Sequence, residues 1–528
     1  MEPVRNILIV GGGTAGWLTA AFLARTLGTA GNGVAITLVE SPEIGIIGVG
    51  EGTFPSIRGT LSTIGISEAR FLRSSEGTFK QGIRFDHWVR PPGTPGADHY
   101  FHPFSVPSQR PDRPELLPYW LLGAAGHDVS FADAATLQKR VADGGRGPKH
   151  ANDRDFTGPL NYAYHFDAAR FAELLCEVGT ELGVRRILAN VERVELDATG
   201  AIAGVHTREG TVLRADLYVD CTGFRAALIG GALGSPYKNI NDVLFADRAV
   251  AIQVPYPQPD APIACYTKST ALESGWVWDI GLQTRRGIGY VYSSKYCEDD
   301  SAEGRLRAWI GPASEGLNAR RLRLQVGYRE TQWVRNCVAV GLSAGFLEPL
   351  ESSGIGLIET AAYLIGYCLP SLGDMDIAAR KFNEFMRARF ERIVEFIKMH
   401  YCLTRRTDSP FWIDNAKAQS IPDGLREKLA MWSHRPPHRL DFLTDIEMYM
   451  PASWQFVLYG MEFETDLHAR AAQYPRRLDA EREFQAIRRV ADHALSDLPV
   501  HRELVRAMCS PREVRPPSPA LCAGEGRG

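Results

Sequence analysis

The sequence of 528 residues predicts an α/β fold with a parallel-sheet core, a β-rich middle layer and a mostly helical C-terminal region. Three observations support this prediction. A strand, a glycine-rich turn and a helix follow one another near the N-terminus. Short apolar runs typical of strands recur through the middle of the chain, and apolar residues at helical spacing dominate from about residue 374.

The N-terminal segment carries the pattern of a βαβ unit. Residues 4–10 (VRNILIV) are predicted as a buried parallel strand, and residues 17–27 (WLTAAFLARTL) have helical spacing. Between them lies the G-x-G-x-x-G turn at 11–16 (GGGTAG), and a second strand at 34–39 ends in Glu40. This order of elements predicts a Rossmann-like dinucleotide-binding unit.

The glycines of that turn have separate physical roles. Gly11 permits the tight turn, Gly13 lets the backbone approach a pyrophosphate, and Gly16 lets the helix pack against the strand. The N-terminus of the helix offers unpaired N–H groups to phosphates. Glu40 is predicted to accept hydrogen bonds from a ribose, and an acidic residue there disfavours NADP. FAD and NAD both stay open from this segment alone.

Later elements follow from periodicity and turn residues. Segments 90–115 and 142–160 are rich in Pro, Gly and charge, so we expect surface loops there. The other predicted elements are a helix at 167–182 closed by Gly183, strands at 186–196, 216–224, 249–254, 289–293 and 336–340, and a helix at 377–401.

The composition excludes several classes of protein. The chain has 59 basic and 62 acidic residues and a net charge of -3, so nothing indicates nucleic acid or an anionic membrane as a partner. No apolar stretch reaches the length of about 18 residues that a transmembrane helix needs. The nine cysteines show no Cys-x-x-Cys pair. We therefore expect reduced thiols in the cytoplasm, without a disulfide framework or a metal site.

Further motifs occur together in this chain. They are Gly48-Val49-Gly50-Glu51-Gly52-Thr53, Lys80 within GTFKQG at 77–82, the Trp276-Val277-Trp278-Asp279-Ile280 run, FLEPLESSG at 346–354, and His400-Tyr401 followed by Phe411-Trp412. In this combination the chain resembles the flavin-dependent halogenases, in the tryptophan halogenase group. The resemblance runs from about residue 5 to 415 and more thinly to 460.

The resemblance implies an architecture and a set of reactants. It implies a Rossmann-like FAD-binding core of the monooxygenase and halogenase type at 1–373, a helical region at 374–510 that caps the substrate pocket, and a disordered tail at 511–528. Such enzymes use FAD as FADH2, which a separate flavin reductase supplies, and chloride or bromide as co-substrate. A small aromatic molecule is the implied substrate, and a homodimer is left open.

The resemblance also implies binding residues. Ser353 and Gly354 match positions that hold halide through a hydroxyl and backbone N–H groups, as in an electrostatic nest. The positions implied to contact FAD are Gly11, Gly13, Thr14, Ala15, Gly16, Glu40, Ser41, Val49, Gly50, Val191, Leu342 and Ile355.

Two charged residues are the implied catalytic pair. Lys80 would hydrogen-bond hypohalous acid or become a haloamine, and a lysine whose pKa shifts on burial suits either role. Glu351 would keep Lys80 charged or accept the proton that the ring loses. The simpler alternatives are a solvated surface charge for Lys80 and helix N-terminal capping for Glu351.

Aromatic residues complete the implied site. Trp276 and Trp278 share one face of a strand and would keep the substrate away from the flavin, although Gly281 replaces the family's proline. His102, Phe104 and Trp454 would pack against an electron-rich ring. Tryptophan, indole, phenolic and pyrrole substrates stay open. The alternative function is an FAD-dependent aromatic monooxygenase, which would need neither Lys80 nor the tryptophan pair.

Overall fold

A computed structural model describes residues 3–29, 33–45, 50–108, 110–369, 375–443 and 445–510. The predicted tail at 511–528 and the boundary at 373–374 lie outside the described residues. The division into a core and a C-terminal helical region therefore stays a prediction.

Strands make up the N-terminal unit and most of the middle of the chain. In chain order they are β1 (Asn6–Val10), β2 (Ala35–Glu40), β3 (Gly50–Gly52), β4 (Thr78–Lys80), β5 (Gly82–Asp86), β6 (His99–Pro103), β7 (Ala163–Asp167), β8 (Arg185–Leu188), β9 (Val191–Leu196), β10 (Ile202–Thr207), β11 (Val212–Leu213), β12 (Leu217–Asp220), β13 (Lys238–Asn239), β14 (Arg248–Pro255), β15 (Thr267–Leu272), β16 (Gly275–Gly281), β17 (Arg285–Tyr292), β18 (Ala319–Arg323), β19 (Gly327–Tyr328), β20 (Trp333–Val334), β21 (Cys337–Ala339) and β22 (Gly345–Phe346).

Helices cover the parallel sheet and dominate the last third of the chain. They are α1 (Thr14–Leu27), α2 (Ile57–Ile64), α3 (Glu68–Ser74), α4 (Leu116–Leu121), α5 (Phe131–Ala135), α6 (Gln138–Asp143), α7 (Ala168–Glu181), α8 (Asp299–Ile310), α9 (Ser353–Cys368), α10 (Met375–Cys402), α11 (Pro410–Asn415), α12 (Asp423–Trp432), α13 (Pro451–Gly460), α14 (Arg477–Asp497) and α15 (His501–Cys509).

The predicted dinucleotide unit forms the centre of a six-stranded sheet with the order β20-β21-β12-β1-β2-β8. Strand β1 pairs in parallel with β2 on one side and with β12 on the other. Its residues Ile7, Leu8, Ile9 and Val10 are buried, as a central strand covered on both faces requires. The α/β prediction with a parallel-sheet core is confirmed.

A second, seven-stranded sheet has the order β18-β14-β17-β16-β15-β5-β6 and corresponds to the predicted β-rich layer. A small antiparallel sheet, β3-β7-β4, lies beside it. The chain passes from β4 into β5 through the single residue Gln81, so Lys80 ends one sheet just before the other begins. This connection places Lys80 where the two sheets meet.

Helix α10 has 28 residues and confirms the helix predicted at 377–401. Its buried face includes Phe382, Met386, Phe390, Ile393 and Ile397, at spacings of three and four residues. The neighbouring helix α9 packs against α10 and also against α1. Helix α10 is thus connected through α9 to the nucleotide-binding unit.

Two predicted elements were wrong in detail. The segment 90–115 was predicted as a loop but contains β6, which pairs antiparallel with β5 and whose residues 100–103 are buried. The single strand predicted at 186–196 is two strands in different sheets, because the chain leaves the parallel sheet at Ala189 and Asn190. In the first case burial in a sheet outweighed the local abundance of Pro and Gly.

Within the described residues, no helix is both long and apolar enough to cross a membrane.

Candidate active site

The G-x-G-x-x-G turn adopts the geometry that its glycines predict. Gly11 has a φ of 114°, and a Cβ there would lie 2.2 Å from the carbonyl oxygen of Cys221. A Cβ on Gly16 would lie 1.8 Å from the carbonyl oxygen of Gly11. No heavier residue fits at these two positions without moving the backbone of β1 or the turn after β12.

The N-terminus of α1 is left open towards a ligand. Gly13 is its N-cap residue and offers no side chain to its amides, and space is free where a Cβ on Gly13 would be. The amides of Thr14 and Ala15 begin the helix, where unpaired N–H groups and the helix dipole favour a phosphate. This open cradle, which a Cβ would fill, fits a dinucleotide pyrophosphate.

Glu40 lies at the end of β2, where a ribose partner is predicted. Its carboxylate accepts a hydrogen bond from Trp17 Nε1 at 3.3 Å and pairs with Arg186 Nε at 2.5 Å. A Cβ on Gly12 would overlap this carboxylate. These contacts hold the acid beside the glycine turn.

The other predicted FAD positions lie in several different elements. Ser41 follows β2 and donates a hydrogen bond to Asn190 Oδ1 at 2.6 Å, and Val191 begins β9. Leu342 lies in the short 3-10 turn Gly341–Ser343, and Ile355 lies in the first turn of α9. Gly50 begins β3. Val49 lies outside the described residues.

Lys80 is buried, so its interpretation as a solvated surface charge is wrong. Its side chain has no exposed surface. The ammonium donates a hydrogen bond to Ser352 Oγ at 2.7 Å and another to the carbonyl oxygen of Thr53 at 3.2 Å. It also lies 5.2 Å from the centre of the Phe104 ring. Lys80 is thus held between residues 50–53, which we call the strap, and the start of α9.

The environment of Lys80 changes its protonation. Burial disfavours the charged form and lowers the pKa of Lys80 to about 7, although the negative charge of Glu351 opposes this shift. At neutral pH this lysine exists in both protonation states. It can therefore donate a hydrogen bond as an ammonium or react as an amine.

Glu351 lies in the turn before α9 and has a left-handed backbone, with a φ of 64°. Ser352 is also left-handed, with a φ of 59°. Two consecutive left-handed residues that are not glycine are strained, and such strain is concentrated at functional sites. This turn brings the Glu351 carboxylate and the Ser352 hydroxyl to the same buried place.

The Glu351 carboxylate does not cap the helix but contacts two histidines. Its oxygens accept hydrogen bonds from His102 Nδ1 at 2.8 and 2.9 Å, and His400 Nε2 lies 3.3 Å from Oε1. Burial by itself raises the pKa of Glu351, but the two imidazoles outweigh it and lower that pKa to about 2. Glu351 is therefore ionised throughout the physiological pH range.

The predicted halide residues begin α9. Ser353 is the first residue of this 16-residue helix, and its N-cap residue, Ser352, has no side-chain capping bond. Space is free where a Cβ on Gly354 would be. The amides at this end face no capping side chain, which is the arrangement that an anion prefers.

The predicted substrate residues lie in one aromatic cluster. His102 and Phe104 have ring centres 6.4 Å apart, and Phe396 lies 5.9 Å from His102. Trp454 packs edge-on against Phe396 at 4.9 Å. Edge-on packing of this kind is favourable between aromatic rings and is available to an aromatic ligand. We call the set His102, Phe104, Phe396, Trp454, Phe54 and Tyr449 the aromatic cluster.

Trp276 and Trp278 project from the same face of β16, with ring centres 6.3 Å apart. The Trp278 ring lies directly over Gly289 of the neighbouring strand, where a Cβ would overlap it. A cavity of about 380 Å³ is lined in part by Gly50 and Trp278. Trp278 therefore borders a space beside Gly50.

Several residues of the site were not assigned a role from the sequence. Ser352 bonds Lys80, Tyr100 bonds His400, and Tyr449 stacks on Phe396. His400 had been noted only as part of a motif. These contacts join segments that are up to 300 residues apart, so no local pattern could have revealed them.

The described ranges contain no group of three or more His, Cys, Asp or Glu side chains that could hold a metal ion.

Comparison with known proteins identifies the family. The family model for tryptophan halogenases matches residues 6–476. The chain is 35% identical over 525 residues to the tryptophan 6-halogenase SttH of Streptomyces toxytricini. The alignment covers 95% of this chain and 98% of that protein.

Solved structures give the same result. A tryptophan halogenase from Shewanella frigidimarina superposes with a TM-score of 0.91 at 39% identity, covering 96% of this chain and 98% of that one. Xcc4156, a flavin-dependent halogenase from Xanthomonas campestris, gives a TM-score of 0.86 at 35% identity and covers 96% and 99%. The chain therefore belongs to the tryptophan halogenase family and is an enzyme of the flavin-dependent halogenase class.

Proposed function

We propose that this enzyme halogenates an electron-rich aromatic ring of the indole type, with Lys80 presenting the electrophilic halogen to it. The observation that carries the proposal is the place of Lys80, which is buried, bonded to Ser352 and in contact with the Phe104 ring. A reactive cation at the wall of an aromatic cluster suits the delivery of a halogen to an aromatic carbon.

The chain offers a matching cradle for FAD. The open N-terminus of α1 at Gly13 would hold the pyrophosphate, and Glu40 would face the adenosine ribose. When bound and reduced, FAD would supply, together with dioxygen, the chemistry that oxidises chloride or bromide to hypohalous acid. Ser353 and Gly354 would hold the halide at the open end of α9, and a separate reductase would supply FADH2.

Lys80 would act on the hypohalous acid once it reaches the aromatic cluster. As an ammonium it can donate a hydrogen bond to the oxygen, so that hydroxide leaves as water. As an amine it can take the halogen on nitrogen and pass it on. A pKa of about 7 makes both states available. The bond to Ser352 and the Thr53 carbonyl orient Nζ in either case.

The tryptophan pair would separate the organic substrate from the flavin. Both indoles are buried and occupy the strand that borders the cavity beside Gly50. Such a barrier lets the small hypohalous acid pass while the aromatic substrate stays beside Lys80. This separation would suppress direct hydroxylation.

Tryptophan and indole are the first substrates to test. SttH is named as a tryptophan 6-halogenase and the Shewanella frigidimarina protein as a tryptophan halogenase. The rings of Phe104, Phe396 and Trp454 can surround an indole in edge-on and stacked contacts. Phenols and pyrroles are smaller electron-rich rings that the same cluster could take.

The deciding experiment supplies a flavin reductase, NADH, FAD, dioxygen and either chloride or bromide. Mass spectrometry then screens tryptophan, indole, phenol and pyrrole for halogenated products. We expect halogenation of an indole that needs the halide, and its loss in Lys80→Ala with FAD binding retained. FAD binding is followed by the quenching of flavin fluorescence.

A matched control distinguishes a specific role from the general effect of losing a buried ammonium. Lys398 is also fully buried, but bonds the Val243 carbonyl and Asn415. Lys398→Met should retain halogenation in the folded enzyme. Hydroxylated products formed without halide would support a monooxygenase instead, and halogenation by Lys80→Ala would disprove the role of Lys80.

Assembly and location stay proposals. A homodimer is to be tested by light scattering during size-exclusion chromatography. A cytoplasmic location is supported by the eight cysteines among the described residues, from Cys176 to Cys509, which are all free thiols.

A further inference from the structure

The protonation of His102 is determined by its contact with Glu351. A carboxylate can only accept hydrogen bonds, so His102 Nδ1, at 2.8 Å from Oε2, must carry the proton. In the neutral imidazole the other nitrogen, Nε2, is then an unprotonated base. The same arrangement of carboxylate and histidine prepares the general base of hydrolytic triads.

His102 Nε2 has no hydrogen-bond partner among the described residues, although the residue is fully buried. Buried polar atoms are normally paired, so an orphaned one needs an explanation. Around this imidazole lie the rings of Phe104 and Phe396, which cannot accept or donate a conventional hydrogen bond. This unpaired nitrogen thus lies within the aromatic cluster proposed to bind the substrate.

Glu351 is poorly suited to take a proton itself. Its oxygens already accept from His102, and His400 Nε2 lies 3.3 Å from one of them. The other nitrogen of His400 accepts a hydrogen bond from Tyr100 at 2.6 Å, which fixes the orientation of that ring. The carboxylate oxygens are therefore already engaged by an imidazole.

We propose that His102 Nε2 is the general base that removes the ring proton during halogenation, and that Glu351 is the positioning residue that orients His102. This inference rests on the proposed function and assigns the base within it. His102 then does more than stack against the substrate, and Glu351 acts through the imidazole without touching the ring.

The proton balance closes with these groups. An aromatic carbon bonds the halogen as the halogen–oxygen bond breaks, and the leaving hydroxide takes a proton from the Lys80 ammonium to become water. The C–H electron pair then returns to the ring as its proton moves to His102 Nε2. The Glu351 carboxylate stabilises the resulting imidazolium. Transfer of this proton from His102 to Lys80 restores both groups.

The test measures a deuterium isotope effect on the halogenation rate, by comparing separate reactions of ring-deuterated and ordinary indole or tryptophan at saturating concentration. In the wild type, loss of the ring proton is fast, and no primary isotope effect is expected. His102→Asn keeps an N–H donor towards Glu351 but removes the base. We expect the rate to fall by about 10²-fold or more, and a primary isotope effect to appear because proton loss becomes rate-limiting.

A stacking role for His102 predicts a different outcome. Phe104→Leu, which removes an aromatic ring but no acid or base, should raise KM and lower the rate without any isotope effect. If His102 is instead the base, His102→Gly should regain activity when imidazole is added. The isotope effect of this variant should then disappear. Flavin fluorescence quenching and circular dichroism establish that each variant is folded and binds FAD.

The comparison with Glu351→Gln decides between the two candidate bases. If Glu351 is the base, Glu351→Gln shows the isotope effect and His102→Asn does not, and the inference is overturned. If His102 is the base, both variants show it, and imidazole rescues only the His102→Gly variant. Failure of the wild type to halogenate any ring would contradict the proposed function as a whole.

Discussion

Lys80 and Lys149 both lack exposed surface, and their surroundings differ in one respect. Lys149 donates to Glu68 Oε2 at 2.7 Å and to the Arg154 carbonyl at 2.8 Å, so its charge is neutralised by a buried ion pair. The hydroxyl groups of Tyr162 and Tyr164 also bond the Glu68 carboxylate. In this cluster the buried charges of Lys149 and Glu68 neutralise each other.

Lys80 has no carboxylate within ion-pair distance in the described part of the chain. It bonds only the neutral oxygens of Ser352 and Thr53, and Glu351 acts on it from a longer range. Burial without a direct counter-ion is costly and shifts a lysine towards its neutral form. Lys149 therefore serves stability, whereas Lys80 is prepared for chemistry at the expense of stability.

The largest effect on stability is expected at the paired lysine. Lys149→Met leaves the Glu68 carboxylate buried without a cation, and breaking such a pair costs about 3–5 kcal/mol. Lys80→Met removes a desolvated charge that has no counter-ion beside it. We therefore expect the free energy of unfolding of this variant to exceed the wild-type value. Urea denaturation followed by circular dichroism measures both.

The stabilities of these two variants test directly whether the two lysines have different roles. A large loss of stability in Lys80→Met, equal to that in Lys149→Met, would show that Lys80 is also a structural group. Halogenation by the folded fraction of Lys149→Met is expected to persist.

The pH dependence of the free energy of unfolding also depends on the pKa of Lys80. The pKa of Lys80 is about 7 in the folded protein, against about 10.4 for an ordinary lysine. Between these values the unfolded chain binds a proton that the folded protein releases, so raising the pH favours folding. Relative to Lys80→Met, the wild type should gain about 1.4 kcal/mol per pH unit between about pH 7 and pH 10.

Denaturation of the wild type and Lys80→Met at several pH values tests this slope. A stability difference that stays constant over the range would mean that the pKa of Lys80 is not lowered by burial.

The smallest effects are expected from the hydroxyl groups beside each lysine. Ser352→Ala removes one hydrogen bond from Lys80 and should reduce the halogenation rate by up to about tenfold, since one such bond is worth about 0.5–1.5 kcal/mol. Tyr162→Phe removes one bond to Glu68 and should lower stability by about 1 kcal/mol without changing the rate. Steady-state kinetics measures the rate, and thermal denaturation measures the stability. A loss of stability in Ser352→Ala together with a loss of rate in Tyr162→Phe would contradict the roles given to the two lysines.

Much of the fold could be predicted from local patterns. The strand, glycine turn and helix at the N-terminus appear as β1, the turn at 11–16 and α1, because glycine turns and apolar periodicity act over a few residues. The strand carrying His102 was missed, since its pairing with β5 depends on residues outside the local segment. Ser352, Tyr100 and Tyr449 were given no role for the same reason.

The α/β class, the dinucleotide-binding turn and the family of the chain could all be inferred from the order of its residues. The tertiary structure alone decided that Lys80 is buried, that Glu351 faces two histidines and that one nitrogen of His102 is left unpaired. Motifs state which side chains are present, but the pKa of a side chain depends on burial and on neighbours brought together by folding. His102, Glu351 and His400 are distant in sequence, and only the packing of β6, α9 and α10 brings them into contact.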